Sequence, residues 1–177
     1  MRKRSVALNA ALVGVMAATL ECAKLALSAI PNVEVVTLLI ALYSTVFGWL
    51  GVASAVIFVA IEPLIWGFGS WVISYLLYWP LVAIVFLLLK KVGIKNRWVL
   101  TGIAVLLTFF FGVLTSLVDI GLFSGTYDEF FKRFFIYYSR GVYFYLIQIA
   151  SNAILFPYVF QYLMEKLTLV KNKIIRE

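Results

Sequence analysis

Long unbroken apolar runs dominate the chain, with little of the period-two alternation that marks strands. They fall at about residues 5–30, 35–49, 51–66, 71–89, 98–120 and 138–164. A helix needs ~20 mostly apolar residues to cross ~30 Å of hydrocarbon. Continuous runs of that order are therefore predicted to be membrane-spanning helices, whose backbone amides are satisfied within each helix. The breaks carry the residues expected of turns: Pro31-Asn32, Gly48-Trp49-Leu50-Gly51, Gly67-Phe68-Gly69, Lys90 to Arg97, and Ser124 to Arg133. The pattern predicts an all-α integral membrane protein, a single domain over 1–177 built as a bundle of six transmembrane helices. Pro63 is expected to bend or end the third helix.

Composition agrees with the pattern. Of 177 residues, 64% are hydrophobic and 13% charged, with a mean hydropathy of +1.05; soluble domains run nearer half apolar and a quarter charged. The basic residues sort by side. Arg2-Lys3-Arg4, the stretch Lys90 to Arg97, and the tail with Lys166, Lys171, Lys173 and Arg176 hold eleven of the fifteen. Placing both termini in the cytoplasm satisfies the positive-inside rule, and it accounts for the net charge of +7 without nucleic acid. The basic start is followed by an apolar segment too long for a cleavable signal, so that segment is expected to stay as a span. One cysteine and no histidine leave no disulfide, no cysteine-cluster metal site and no histidine base. No G-x-x-x-x-G-K-[ST] loop occurs, so nucleotide hydrolysis is not expected of this chain, nor is any enzymatic activity or bound cofactor.

The charges that do enter the spans are functional candidates, because each costs several kcal/mol there. Glu21 and Lys24 lie high on the first helix, Glu34 opens the second, and Glu62 nears the end of the third. Asp119 closes the fifth and Arg140 opens the sixth, so all six share the outer half. Two readings of Glu21 and Lys24 are open: mutual neutralisation at i,i+3, or membership of a site. Asp119 and Arg140 likewise either snorkel to the surface or face inward. The aromatic residues share the asymmetry. Trp66, Trp71, Tyr75 and Trp79 surround the third connection, and Tyr143 belongs to a cluster around the fifth. Gln148 and Asn152, four residues apart, add amides to one face of the last helix. Together with Asn32 and Glu34, these residues describe an aromatic-lined polar cavity open to the outside, the usual form of a small-molecule site.

The first helix carries a different signal in its inner half. Ala7 with Ala11, and Ala10 with Gly14, repeat small residues at a spacing that lets helices approach closely in lipid. Packing within the chain and docking of a partner protein are both compatible with it.

The alanine-rich first helix, the stretch "IPNVEVVTLLIALYSTVFG" over 30–48 and "WGFGSWVISYLLYWPL" over 66–81 resemble the substrate-binding S components of energy-coupling factor (ECF) transporters. The layout of that family covers the whole chain; its motifs lie mainly within residues 5–80. The resemblance implies a non-enzymatic subunit of the bacterial plasma membrane that binds a vitamin or related micronutrient, with cobalamin as first candidate. It also implies docking, through Ala7, Ala10, Ala11 and Gly14, onto a transmembrane coupling subunit carrying two ATPase subunits. The acidic residues around the cavity exceed what a neutral ligand needs, which leaves a cationic or amine-bearing ligand open. An autonomous ion-coupled carrier using Glu21, Glu62 and Asp119 is the alternative.

Overall fold

The computed structural model describes residues 6–30, 33–123 and 129–176. They form seven α-helical segments: α1 Val6–Leu27, α2 Val36–Phe47, α3 Trp49–Trp66, α4 Trp71–Val92, α5 Arg97–Phe123, α6 Phe130–Leu155 and α7 Gln161–Arg176. A π-helical turn, Phe156–Phe160, joins the last two into one continuous rod. Pro157 within it lacks the amide an α-turn needs, and the widened turn accommodates that loss. Five helices are long and apolar enough to cross a membrane: α1, α3, α4, α5 and the joined α6–α7.

Two of the expected spans differ in extent from the helices observed. The run at 35–49 yields a helix of 12 residues, about 18 Å long at 1.5 Å per residue and short of the ~30 Å of hydrocarbon. Gly48 stops it, with φ +67 in the left-handed region that suits glycine. Nine of its twelve residues are buried, so α2 owes its all-round apolarity to enclosure by neighbouring helices, not by lipid. The run at 138–164, conversely, is the middle of a helix that reaches from 130 to 176. At roughly 70 Å that rod is longer than the ~30 Å hydrocarbon thickness. Pro63 does not end α3, which continues to Trp66 and is closed by Gly67.

The packing order is α1 on α3, α2 between α3 and α4, α4 on α5, α5 on α6, and α7 against the end of α2. Small residues sit at the tightest points: Ala41, Ala55, Ala83 and Ala104 are fully buried. Such residues allow the close backbone approach on which helix association in lipid depends. The extreme case is Gly51 in the first turn of α3. A Cβ there would fall inside van der Waals contact of the Tyr43 carbonyl and the Ser44 amide of α2. Between α5 and α6 the notch is filled differently: the Tyr145 ring lies over Gly112 and Gly141, and its hydroxyl meets Thr115 Oγ1 at 3.0 Å. Phe130, Phe134 and Tyr138 continue that seam as a stack. At the far end of α2, Lys171 Nζ donates to the Val46 carbonyl at 2.6 Å, closing a helix C-terminus with a cation.

Candidate functional site

A cavity of about 240 Å³ opens at the end of the bundle where α1 turns toward α2. The end of α1 contributes Lys24, Leu27 and Ser28; the connecting segment and the first turn of α2 contribute Val33, Glu34 and Thr37. Trp66 closes α3 at its edge. The opposite wall is Tyr75, Tyr78 and Trp79 of α4, Thr108 and Phe111 of α5, and Gln148 of α6. A second cavity, about 210 Å³ at the other end, is walled mainly by apolar side chains such as Phe86, Ile94 and Met164. Convergent polar groups mark a ligand site, and they converge on the first.

Glu34 is the most connected of them. Its Oε1 accepts from the Thr37 amide at 2.6 Å and the Thr37 hydroxyl at 2.8 Å. A carboxylate three residues ahead of an amide in the first turn satisfies one of the four orphan donors of a helix start. The other oxygen, Oε2, accepts from Asn152 Nδ2 at 3.2 Å, and Asn152 also donates to Thr108 Oγ1 at 2.9 Å. One carboxylate thus ties the start of α2 to α6, and through Asn152 to α5. Burial pushes the Glu34 carboxyl above the ordinary carboxylate range, while the bonds from Thr37 and Asn152 draw it back.

A second polar group lies between α1 and α3. Lys24 Nζ pairs with Glu62 Oε2, and Glu62 is completely buried. Neutralisation of Lys24 by Glu21 within one helix is therefore corrected: the lysine reaches across to α3. Glu62 is the carboxylate with no access to water, and an unpaired charge there is the costlier arrangement. Glu21 is buried beside Glu62, and neither of its oxygens has a hydrogen-bond donor. The ammonium of Lys24 also stands 5.1 Å from the Tyr75 ring centre, 5.4 Å from Trp66 and 6.0 Å from Phe58, distances at which a ring face attracts a cation.

The aromatic wall is a ladder at i,i+4 spacing on α4. Trp71 meets Tyr75 edge-to-face at 5.1 Å, and Tyr75 meets Trp79 at 5.5 Å. Tyr78 packs on Phe111 at 4.7 Å. The Trp79 indole N–H is buried without a partner.

Of the residues singled out in the sequence, Glu34, Trp66, Tyr75, Trp79 and Gln148 line the cavity, and Glu62 adjoins it through Lys24. Trp71 supports Tyr75 from outside it. Asn32 and Pro31 lie outside the described residues. Three others are not brought in. Asp119 is eleven residues beyond Thr108 on α5, about 16 Å along the axis. Arg140 is eight residues before Gln148, about 12 Å away by the same rise, and its guanidinium packs on Tyr137 at 5.7 Å. Tyr143 stands about 140° around α6 from Gln148 and is 66% exposed. Lys24 and Asn152, singled out for charge and amide, join the site with Tyr78, and Thr37, Thr108 and Phe111, which were not singled out, complete it. A threonine three residues after Glu34, and isolated polar residues in apolar helices, are the sequence signals that mark them.

Ala7, Ala10, Ala11 and Gly14 are all exposed, and a Cβ on Gly14 would meet nothing within 4 Å. α1 packs on the rest of the bundle through Val13, Met16, Ala17, Leu20 and Glu21 instead. Packing of the small-residue face within the described chain is thereby corrected: no helix among the described residues covers it.

No protein-family model matches the chain, and neither a curated protein nor a solved structure matches it.

Proposed function

We propose that this chain is a substrate-binding membrane subunit, the S component of an ECF-type importer for a vitamin or related micronutrient. The observation that carries the reading is the cavity at one end of the bundle, where aromatic faces and the Glu34 network converge. Its 240 Å³ falls just below the ~300–1,000 Å³ common for small-molecule sites. That size favours a compact vitamin-like molecule over the much larger cobalamin. In this reading the chain sits in the bacterial plasma membrane with both termini cytoplasmic, and the short α2 counts with α3 as a hairpin. Energy comes from partners: a transmembrane coupling subunit and two ATPase subunits that dock through Ala7, Ala10, Ala11 and Gly14. The uncovered face of α1 supports that assignment.

The test separates binding from transport. Ala11→Trp is expected to lower uptake by cells expressing the whole importer more than tenfold while ligand retention by the purified subunit is unchanged. Unchanged uptake, or loss of retention by the purified subunit, would refute docking through this face. A second reading draws on the buried Glu21 and Glu62 carboxyls: an autonomous carrier coupled to protons or another cation. Ligand uptake into proteoliposomes holding this chain alone, driven by a proton gradient, decides for the carrier; uptake that needs the coupling and ATPase subunits decides for the importer.

A further inference from the structure

We infer that the ligand of this cavity carries a positive charge, as a protonated amine or a charged ring nitrogen, and that Glu34 is its counter-ion. The inference rests on the reading of the cavity as a ligand site and adds the chemical class. It begins with the charges that each packed element presents. α1 supplies Glu21 and Lys24, the connecting segment Glu34, and α3 Glu62. The lining residues of α4, α5 and α6 are uncharged at neutral pH: Tyr75, Tyr78, Trp79, Thr108, Phe111 and Gln148. The cavity itself is lined by one carboxyl group, Glu34, and one ammonium, Lys24, and Lys24 is already engaged by the buried Glu62 behind it.

Glu34 is left with neutral donors, the amide and hydroxyl of Thr37 and the amide of Asn152. These neutral donors leave the carboxylate's charge uncompensated, and the low dielectric of such a site strengthens its attraction for a cation. A ligand ammonium gains that interaction. A ligand carboxylate or phosphate meets like charge instead, with Lys24 held by Glu62 on the other wall.

The aromatic surface points the same way, and independently of the carboxylates. Tyr75 and Trp66 line the cavity and already hold one ammonium, that of Lys24, at 5.1 and 5.4 Å from their ring centres. Tyr78, Trp79 and Phe111 line the same cavity and add ring surface of the kind that attracts a cation. Trp79 supplies the remaining element. Its ring lines the cavity, the residue is only 5% exposed, and its N–H has no acceptor among the described residues. A buried unmet donor costs roughly 1–3 kcal/mol, and a hydrogen-bond acceptor on the ligand removes that cost. The cavity therefore suits a compact molecule with a cationic nitrogen toward Glu34 and a carbonyl, hydroxyl or ring nitrogen toward Trp79.

The experiment compares small molecules extracted from purified wild-type protein, Glu34→Gln and Glu34→Asp, identified by mass spectrometry. Circular dichroism and thermal melting confirm that each variant is folded. The expected result is a wild-type compound bearing a cationic nitrogen at neutral pH, retained at least tenfold less by Glu34→Gln and partly recovered in Glu34→Asp. A retained compound that is neutral or anionic overturns the inference while leaving the ligand-site reading intact. Equal retention of a cationic compound by folded Glu34→Gln overturns the counter-ion role. If Glu34→Gln fails to fold, the charge of the wild-type compound and the retention by Glu34→Asp decide in the same terms. Wild-type protein that retains no compound counts against the ligand-site reading itself.

Discussion

Replacing Gly51 by valine is expected to remove nearly all folded protein from detergent extracts of the membrane. The reason is the contact at the α2–α3 hairpin, where the first turn of α3 lies directly on the backbone of Tyr43 and Ser44. A flexible side chain would move aside for an added methyl group, but a helix backbone cannot. Overpacking of an ordinary core costs roughly 1–3 kcal/mol, and a rigid backbone obstacle belongs at or above the top of that range. The hairpin also turns on Gly48 at φ +67, so its two strictures reinforce each other: one glycine supplies the turn and the other the close approach. Since α2 forms the centre of the bundle and its first turn binds Glu34, the cavity is lost together with the hairpin. Size-exclusion yield and melting temperature read the effect. Gly121→Ala is the control, because a Cβ there meets nothing within 4 Å; it is expected to leave both unchanged or slightly improved, as alanine is favoured over glycine inside a helix.

The second large effect is expected from Lys24→Met. This substitution leaves Glu62, fully buried on α3, without its cation and beside the nearly fully buried Glu21. Removing one partner of a buried ion pair typically costs about 3–5 kcal/mol, which for a chain of this size corresponds to a fall in melting temperature on the order of ten degrees. The double variant Lys24→Met with Glu62→Leu is expected to recover most of the loss, since replacing both charges by apolar groups is often neutral or stabilising. A single variant that melts like the wild type would show that the pair contributes nothing to the α1–α3 contact.

How much of this was legible in the sequence differs from element to element. α1, α3, α4 and α5 follow from apolar runs of adequate length ended by proline, glycine or lysine. α2 does not, because an apolar run reads the same whether lipid or other helices surround it; only the position of Gly48 hints that the helix stops early. The α6–α7 rod was hidden for the opposite reason, since polar residues after 164 break the hydropathy while the helix itself continues. At the site, Glu34 and Glu62 stood out as charges in apolar surroundings, and Trp66, Trp71, Tyr75 and Trp79 as an aromatic cluster around one connection, whose edge-to-face ladder only the structure shows. Asp119 and Arg140 stood out equally, yet height along a helix and angle around it decide which charges meet. The choice of Glu62 over Glu21 by Lys24 is likewise tertiary, set by which carboxylate α3 buries most completely. The Glu34–Asn152–Thr108 network joins residues far apart in the chain, and no local pattern announces it.

The central claim is that the cavity between α1 and the aromatic wall of α4 holds a small molecule. Ser28 lines it at an exposed turn, where a large side chain can block the space with little disturbance to packing. The direct measurement is mass spectrometry of small molecules released from equal amounts of folded wild-type and Ser28→Trp protein, purified in parallel. The account predicts one compound released by the wild type in near-stoichiometric amount and at least tenfold less from Ser28→Trp. The same compound in equal amount from both proteins, or none from either, would contradict it.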